Sequence, residues 1–183
     1  MHTVMIKRIP GSLKLLLALA VGLGVGQSRS LAQTQGDVTI AFLYNFARFI
    51  EWPPSSFAGG EAPFTVGFVG RPALADQFAQ AVQGKNVSGR EFRVRKIDAA
   101  DAAACQIVFV GDPAQVSAIL AASKGKPVLC VGEGEDFLTA GGMIAFNREG
   151  ARLVFDVNPG AITAAALAPG EKLTKAARSV KGG

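Results

Sequence analysis

Histidine is almost absent from this chain of 183 residues, and its single histidine, His2, lies at the N-terminus. Residues 1–32 have the pattern of a signal peptide: basic residues, an uncharged apolar run from Leu15 to about Gly26, and the small-x-small sequence Ser30-Leu31-Ala32. We predict cleavage after this sequence, which leaves a mature domain over 33–183 without an imidazole. Ser-His-Asp and Cys-His catalysis, histidine-ligated zinc and histidine general bases are then excluded.

Long apolar runs are also missing. A membrane-spanning helix needs about 20 apolar residues, whereas the run that ends at Gly26 has 12 residues, three of them glycine. An uncut membrane anchor is therefore the less favoured interpretation of this segment. No cysteine lies near the predicted cleavage site, so a lipid anchor there has no acceptor. We expect a single soluble domain that is exported to the periplasm.

Positive charge is less abundant than the whole chain suggests. The formal net charge is +5, but four of the 19 basic residues lie in the predicted signal peptide, which leaves 15 against 14 acidic residues. In the rest of the chain, basic residues cluster only in Arg90–Lys96. Their alternate spacing favours the solvated face of an edge strand over a nucleic-acid contact, so we expect no nucleic-acid partner.

Cysteine occurs twice, at Cys105 and Cys130. An oxidising compartment makes a disulfide conceivable. However, Cys105 begins its predicted strand and Cys130 lies three residues into the next one, an offset of about 10 Å along a strand where a bridge tolerates about 7 Å. We favour two buried thiols, and the sequence leaves intermolecular pairing open. We expect no metal and no cofactor, and no phosphate-loop or Gly-x-Gly-x-x-Gly pattern occurs.

Strands and helices alternate along the rest of the chain. Asp37 is the predicted N-cap of a helix over 38–51, which Trp52-Pro53-Pro54 ends. Further helices are predicted up to residues 83, 123 and 167, with a single turn over 136–140 and an amphipathic helix over 171–180. The predicted strands are 64–69, 92–97, 105–110, 127–131, 143–146 and 152–157, the last two joined by a turn over 148–150. This order predicts an α/β three-layer sandwich: a mainly parallel sheet with a C-terminal antiparallel hairpin, and helices on both faces.

Amphipathic aromatic side chains gather near the end of the first predicted helix. The only tyrosine and the only tryptophan of the chain, Tyr44 and Trp52, lie there with Arg48 and Phe57. Such side chains are enriched at protein interfaces, so these four are candidates for partner binding. For Trp52 we favour packing in the core, and Tyr44 and Arg48 are the better candidates for exposure.

A second group of candidates follows the ends of predicted parallel strands. Open α/β sheets bind ligands beyond the carboxyl ends of their strands, and here these ends carry Arg71, Asp112 and Glu133. A mixed-charge ligand cleft is one interpretation of this group. Solvated turn residues beside helix starts are the interpretation that we favour.

One motif resembles a known family. The run over 41–53, Ala-Phe-Leu-Tyr-Asn-Phe-Ala-Arg-Phe-Ile-Glu-Trp-Pro, is similar to the opening motif of the YfiR family of periplasmic proteins, and later segments match in the same order up to Val180. The residues that carry the resemblance are Phe42, Leu43, Tyr44, Asn45, Phe46, Glu51, Trp52, Pro53, Gly141, Gly142, Met143, Phe155 and Asn158.

This resemblance implies a non-catalytic regulator. The namesake of the family represses an inner-membrane diguanylate cyclase through its periplasmic region, is sequestered by an outer-membrane lipoprotein, and so controls cyclic-di-GMP and biofilm formation. We therefore expect a homodimer that binds a diguanylate cyclase or histidine kinase, with a lipoprotein as a further partner. The namesake has a disulfide-forming pair beside its Gly-Gly motif, but the neighbourhood of Leu138 and Ala145 has no cysteine, so redox control is not implied. The alternative is a small-ligand-binding sensory module that uses the strand-end cleft.

Overall fold

An eight-stranded sheet is the centre of the fold in residues 35–181, the part of the chain that the computed structural model describes. The predicted signal peptide lies outside these residues. The chain divides into two compact units after Asp37, and the fold described here is that of the second unit, Val38–Gly183. The strands are β1 (Ile50–Glu51), β2 (Phe64–Val69), β3 (Asn86–Val87), β4 (Arg90–Lys96), β5 (Ile107–Val110), β6 (Leu129–Glu133), β7 (Ile144–Glu149), β8 (Arg152–Val157), β9 (Ala168–Pro169) and β10 (Ser179–Val180).

The sheet is mainly parallel. Its strand order is β10-β8-β7-β6-β5-β2-β4-β3, and β4, β2, β5, β6 and β7 all run in one direction. The hairpin of β7 and β8 supplies the predicted antiparallel part, and β10 adds to β8 in parallel. β1 and β9 form a separate antiparallel pair. The α-helices are α1 (35–49), α2 (Pro72–Ala81), α3 (Val116–Ser123), α4 (Glu135–Thr139), α5 (Pro159–Ala164) and α6 (Glu171–Ala176).

The sheet separates two hydrophobic cores, because successive residues of a strand point to opposite faces. Ile107 and Phe109 of β5 belong to the core that α1, α2, α5 and α6 cover. Val108 and Val110 belong to the core on the other face, which Ile119 of α3 closes together with α4. The predicted fold class, a three-layer α/β sandwich with helices on both faces, is confirmed. Within residues 35–181, no helix is both long and apolar enough to cross a membrane.

Proline residues and capping side chains that the sequence shows mark the starts of several helices. Pro72 and Pro159 take the first helical positions of α2 and α5, where a missing N–H costs nothing. The Asn158 side chain caps α5 by accepting from the N–H of Ala161 at 3.0 Å. After β5, Pro113–Gln115 forms a 3-10 turn before α3 begins, so the helix predicted from this point starts later than expected.

Several predicted element ends differ from the structure by about two residues, as in β5 (Ile107–Val110, predicted 105–110) and β6 (Leu129–Glu133, predicted 127–131). Three further boundaries are wrong because of contacts that are distant in sequence or because of local backbone geometry. α1 ends at residue 49, since Ile50 and Glu51 pair with β9. α5 ends at Ala164 rather than near residue 167, and Ala166 has a φ of 58°, which a helix cannot accommodate. β7 continues through Glu149, so the hairpin turn lies at residues 150–151 and not over 148–150.

The predicted C-terminal helix is wrong beyond Ala176. Ser179 and Val180 form β10, in register with Asp156 and Val157 of β8. The physical reason is a buried carboxylate on β8, whose hydrogen bonds hold the C-terminal residues at the edge of the sheet.

Candidate functional site

The four partner-binding candidates lie along one row of packed rings. The Trp52 ring meets the buried Phe64 ring edge-on at a centroid distance of 4.9 Å, and Phe57 lies 6.3 Å from the same ring. Phe64 contacts Phe92 of β4 at 5.5 Å, and Phe92 contacts Tyr44 at 5.8 Å. Phe64 and Phe92, which sequence reasoning did not single out, therefore join Tyr44 to Trp52 and Phe57. Each begins a predicted parallel strand, and aligning these two strands at their first residues would have placed the two rings side by side.

Three cations lie over the outer rings of this row. The Arg48 guanidinium is 5.6 Å and the Lys85 ammonium 5.0 Å from the centroid of Tyr44. The Arg90 guanidinium lies 3.9 Å above Phe57 and donates to the carbonyl oxygens of Gly59 and Ala62. Each such contact contributes roughly 0.5–1 kcal/mol at an exposed site. We call this region the aromatic-cation surface; its members are Tyr44, Arg48, Trp52, Phe57, Lys85, Arg90 and Phe92.

Exposure differs among the members of the aromatic-cation surface. Arg48 is exposed, as expected, whereas Tyr44, Trp52 and Phe57 are half-buried. The indole N–H of Trp52 is buried and has no acceptor within the described residues. Arg48, Lys85 and Arg90 form no ion pair within residues 35–181. The region therefore presents apolar ring surface and positive charge that the described part of the chain leaves unneutralised.

The second group of candidates forms an ion pair at the carboxyl ends of β2, β5 and β6. Nη2 of Arg71 lies 2.7 Å from both carboxylate oxygens of Glu133. The Arg71 side chain crosses over Gly111, where a Cβ would overlap its stem. Asp112 instead accepts from the N–H of Ala114 at 3.0 Å and caps the 3-10 turn. Arg71 and Glu133 thus neutralise each other, and Asp112 has a local structural contact.

Two clefts lie on either side of this ion pair. One has a volume of about 390 Å³ and is lined by Phe68, Arg71, Lys96, Ile97, Asp98 and Asp101. The other has a volume of about 370 Å³ and is lined by Val110, Val116, Glu133, Asp136 and Phe137. Both volumes fall at the lower end of the range of small-molecule sites. Among the described residues, no group of three or more His, Cys, Asp or Glu side chains is arranged to hold a metal ion.

The remaining motif residues are placed mainly in the core. Leu43, Phe46, Met143 and Phe155 are buried, and Phe42 stacks on Phe46. The Phe137 ring of α4 lies against Gly132 and Gly142, and a Cβ at either position would overlap it. Gly141 has a φ of 104°, which favours glycine. The Gly-Gly motif therefore lets α4 lie directly on the sheet.

Sequence reasoning missed a buried carboxylate at the C-terminal edge of the sheet. Asp156 is 0% exposed and accepts from Nε of Arg178 at 2.9 Å, from Oγ of Ser179 at 2.8 Å and from Nδ2 of Asn147 at 2.8 Å; Nη2 of Arg178 is also in contact. An aspartate inside the apolar run Leu153–Val157 was the available signal, because a buried charge requires a partner.

Two opposing effects act on the pKa of Asp156. Burial alone would raise the pKa of Asp156, but hydrogen bonds from Arg178 and Ser179, with the attraction of Arg178 and Lys181, hold the pKa below its usual value. The same hydrogen bond to Asp156, chiefly, raises the pKa of Arg178. Arg178 also lies 3.4 Å from Glu135 and 3.6 Å from Glu149, and Lys181 lies 3.1 Å from Glu135.

The two cysteines are free and buried. Cys130 lies beside Val108 in the register of β5 and β6, three positions beyond Cys105. This is the offset on which the argument against a disulfide depended. Burial raises the pKa of each thiol to about 11, so both are protonated and poorly nucleophilic at neutral pH.

Comparisons with known proteins agree with the opening motif. A family model described as YfiR/HmsC-like matches residues 36–178. No curated protein matches the chain. Among solved structures, the chain is similar to a conserved domain protein from Vibrio cholerae O1 biovar El Tor str. N16961, with 11% identity and a TM-score of 0.48, over 64% of this chain and 55% of that one. The chain thus spans about half the length of that structure. Because the family model covers most of the sequence, the chain belongs to the YfiR/HmsC-like family.

Proposed function

We propose that this chain is a periplasmic regulator that binds the periplasmic part of an inner-membrane signalling enzyme, a diguanylate cyclase or a histidine kinase. Membership of the YfiR/HmsC-like family supports it, because that family is regulatory and suggests control of diguanylate cyclase signalling in the periplasm. The output of such a complex is control of cyclic-di-GMP and biofilm formation. An outer-membrane lipoprotein that sequesters the regulator, and a homodimer as its resting form, belong to the same proposal.

The observation that carries the proposal is the aromatic-cation surface. Within residues 35–181, the one large hydrophobic side chain that is largely exposed is Val180, at 52%. A protein contact therefore has to use half-buried side chains, and Tyr44, Trp52 and Phe57 offer aromatic area beside unneutralised cations. Tyr, Trp and Arg are also the residues that most often dominate binding energies.

The test is capture of membrane proteins on the tagged, exported protein, followed by identification by mass spectrometry. We expect recovery of an inner-membrane protein with a cyclase or kinase domain. The variant Arg48→Glu should lower this recovery about tenfold or more, because one interfacial charge reversal costs more than about 1.4 kcal/mol. The matched control is Arg152→Glu, an exposed arginine on β8. Recovery of no such enzyme, or an equal loss with both variants, would refute the proposal.

A small-ligand module is the second candidate function. The cleft of about 370 Å³ beside Glu133 has apolar walls, which suits a small organic molecule. Of its two acidic residues, Glu133 is already paired with Arg71, which weakens this candidate. A thermal-shift screen with amino acids, nucleotides and cofactors decides between the two, since a ligand at 100 times its Kd stabilises the fold by about 2.7 kcal/mol. A hit that Val116→Trp abolishes would support ligand binding in this cleft.

A further inference from the structure

One edge of the central sheet is open for most of its length. β4 is hydrogen-bonded to β2 along Phe92–Lys96 on one side. On the other side it pairs with β3 at Arg90 and Glu91 alone, and no other described strand covers it. Because an uncovered edge displays unpaired backbone groups, it can accept a further strand.

The register shows which backbone groups face outwards. The N–H of Ile97 donates to the carbonyl oxygen of Phe68 in β2 at 3.0 Å. Successive residues of a strand direct their N–H and C=O groups to alternate sides, so Arg93 and Arg95 also face β2. Phe92, Val94 and Lys96 therefore direct their backbone groups to the open side. The outward N–H and C=O groups of these three alternate residues give an extended peptide a length of edge with which to form hydrogen bonds.

A groove lies beside this edge and ends at the aromatic-cation surface. Its volume is about 350 Å³, and it lies between the C-terminal end of α2 and β4. Val82, Phe92 and Val94 supply apolar lining, and Lys85 stands at its rim. Phe92 and Lys85 also contact Tyr44, so the groove and the aromatic-cation surface are continuous.

The charge of β4 selects the kind of strand that can be added. The strand has four basic residues and one acidic residue. Arg95 and Lys96 are paired with Asp101 and Asp76, whereas Arg93 is exposed and has no ion pair within the described residues. Pairing with β4 of a second copy would place like charges opposite each other, which is unfavourable. An added strand with acidic side chains is attracted to β4 instead, because β4 has an excess of basic residues.

We propose that an acidic, extended segment of the partner adds to β4 as a further strand, with alternate side chains in the groove over Phe92 and Val94. This inference deepens the proposed function, because it names the kind of segment that the signalling enzyme presents. Acidic side chains of that segment, on its opposite face, pair with Arg93, while Lys85 borders the apolar side chains in the groove. Backbone hydrogen bonds at Phe92, Val94 and Lys96 supply the register.

The first test uses a synthetic peptide on the intact exported protein. The probe is the acetylated and amidated peptide Glu-Val-Glu-Val-Glu-Thr, followed through the amide NMR signals of the protein. We expect shifts at Phe92, Val94, Lys96 and Lys85. A peptide with Lys in place of Glu, and one with N-methyl groups on its four central residues, should bind at least about tenfold more weakly.

The second test removes one outward N–H group from the edge. Lys96→Pro deletes this donor while the β2 ladder remains, since proline is tolerated at an edge N–H that faces solvent. Lys96→Gln is the matched control, because it also loses the ion pair with Asp76 but retains the N–H. We expect Lys96→Pro, but not Lys96→Gln, to weaken the acidic peptide about tenfold at an unchanged melting temperature.

Several outcomes would overturn the inference. They are no binding of the acidic peptide at about 1 mM, equal binding of the N-methylated peptide, or a dimer in ultracentrifugation that Lys96→Pro dissociates. Membrane capture separates this inference from the proposed function. If the enzyme is recovered equally by wild type and Lys96→Pro, the edge inference fails and the regulator proposal stands. If the acidic peptide binds but no enzyme is recovered, the edge inference stands and the regulator proposal fails.

Discussion

The two edges of the central sheet are built in opposite ways. At one edge β10 pairs with Asp156 and Val157 of β8, with backbone hydrogen bonds of 2.8 Å from Arg178 to Phe155 and from Lys181 to Val157. Side chains reinforce this closed edge, because Arg178 and Ser179 both donate to the buried Asp156. At the other, open edge β3 also pairs with only two residues of β4, but no buried charged side chain within the described residues holds it there.

The closed edge should therefore contribute mainly to the stability of the fold, and the open edge mainly to partner binding. The closed edge depends on a buried carboxylate, so changes there should alter the free energy of unfolding. The open edge has only exposed ion pairs, such as Lys96 with Asp76 at 2.7 Å, which stabilise little. Changes at the open edge should therefore alter binding and leave the fold intact.

The largest effect is expected from breaking the closed edge. Asp156→Ala removes the acceptor of Arg178, Ser179 and Asn147. We expect the free energy of unfolding to fall by about 3 kcal/mol, because three side chains lose hydrogen bonds to a charged and buried acceptor. Urea unfolding followed by circular dichroism measures it. A loss below about 1 kcal/mol would show that the network does not hold the edge.

A smaller effect is expected from loosening α4, which brings Glu135 to the closed edge. Gly142→Ala places a Cβ against the Phe137 ring. Overpacking of this kind costs about 2 kcal/mol, which the same urea experiment detects. Gly60→Ala is the control, since nothing lies within 4 Å of a Cβ there. Equal stability of the two variants would contradict the close packing of α4 on the sheet.

Acid should weaken the closed edge without a mutation. The pKa of Asp156 is lowered in the folded protein, whereas an unfolded aspartate has a pKa of about 3.9. The stabilisation is therefore complete above the unfolded value and is lost as the pH falls through the folded value. We expect the stability of wild type to stay above that of Asp156→Asn down to about pH 4 and to approach it only as the pH falls further. A difference that stays constant with pH would argue against an ionised Asp156.

The smallest effect is expected at the open edge. Asp76→Ala breaks the exposed ion pair with Lys96 and should lower the free energy of unfolding by less than about 0.5 kcal/mol. The comparison of the edges would fail if Asp76→Ala destabilised the protein as much as Asp156→Ala. Both variants belong in one urea series at one ionic strength.

The sequence predicted elements whose causes are local. β2 and β8 have the predicted bounds, because each is a run of β-branched, aromatic and apolar residues between turn residues. The end of the chain was predicted as an amphipathic helix over 171–180, of which the structure has Glu171–Ala176. Only the distant Asp156 carboxylate explains why Ser179 and Val180 become a strand.

The residues of the candidate site also fall into two groups: those that the sequence indicated and those that only the structure reveals. Tyr44, Arg48 and Trp52 are close in sequence, so the end of one helix indicated that they form a group. Phe92 joins them through the pairing of β2 with β4, and Lys85 joins them by lying over the Tyr44 ring; both contacts are distant in sequence from the helix that carries Tyr44. The Arg71–Glu133 pair was foreseeable as a group at the strand ends, but its mutual neutralisation depends on side-chain geometry.

Hydrogen–deuterium exchange of the intact protein, alone and in complex with the captured membrane enzyme, can show which surface the partner covers. We expect slower exchange of the backbone amides of Phe92, Val94 and Lys96 and of the segment from Tyr44 to Phe57 in the complex, with residues 177–181 unchanged. Protection confined to residues 177–181, or to the cleft beside Glu133, would contradict this expectation.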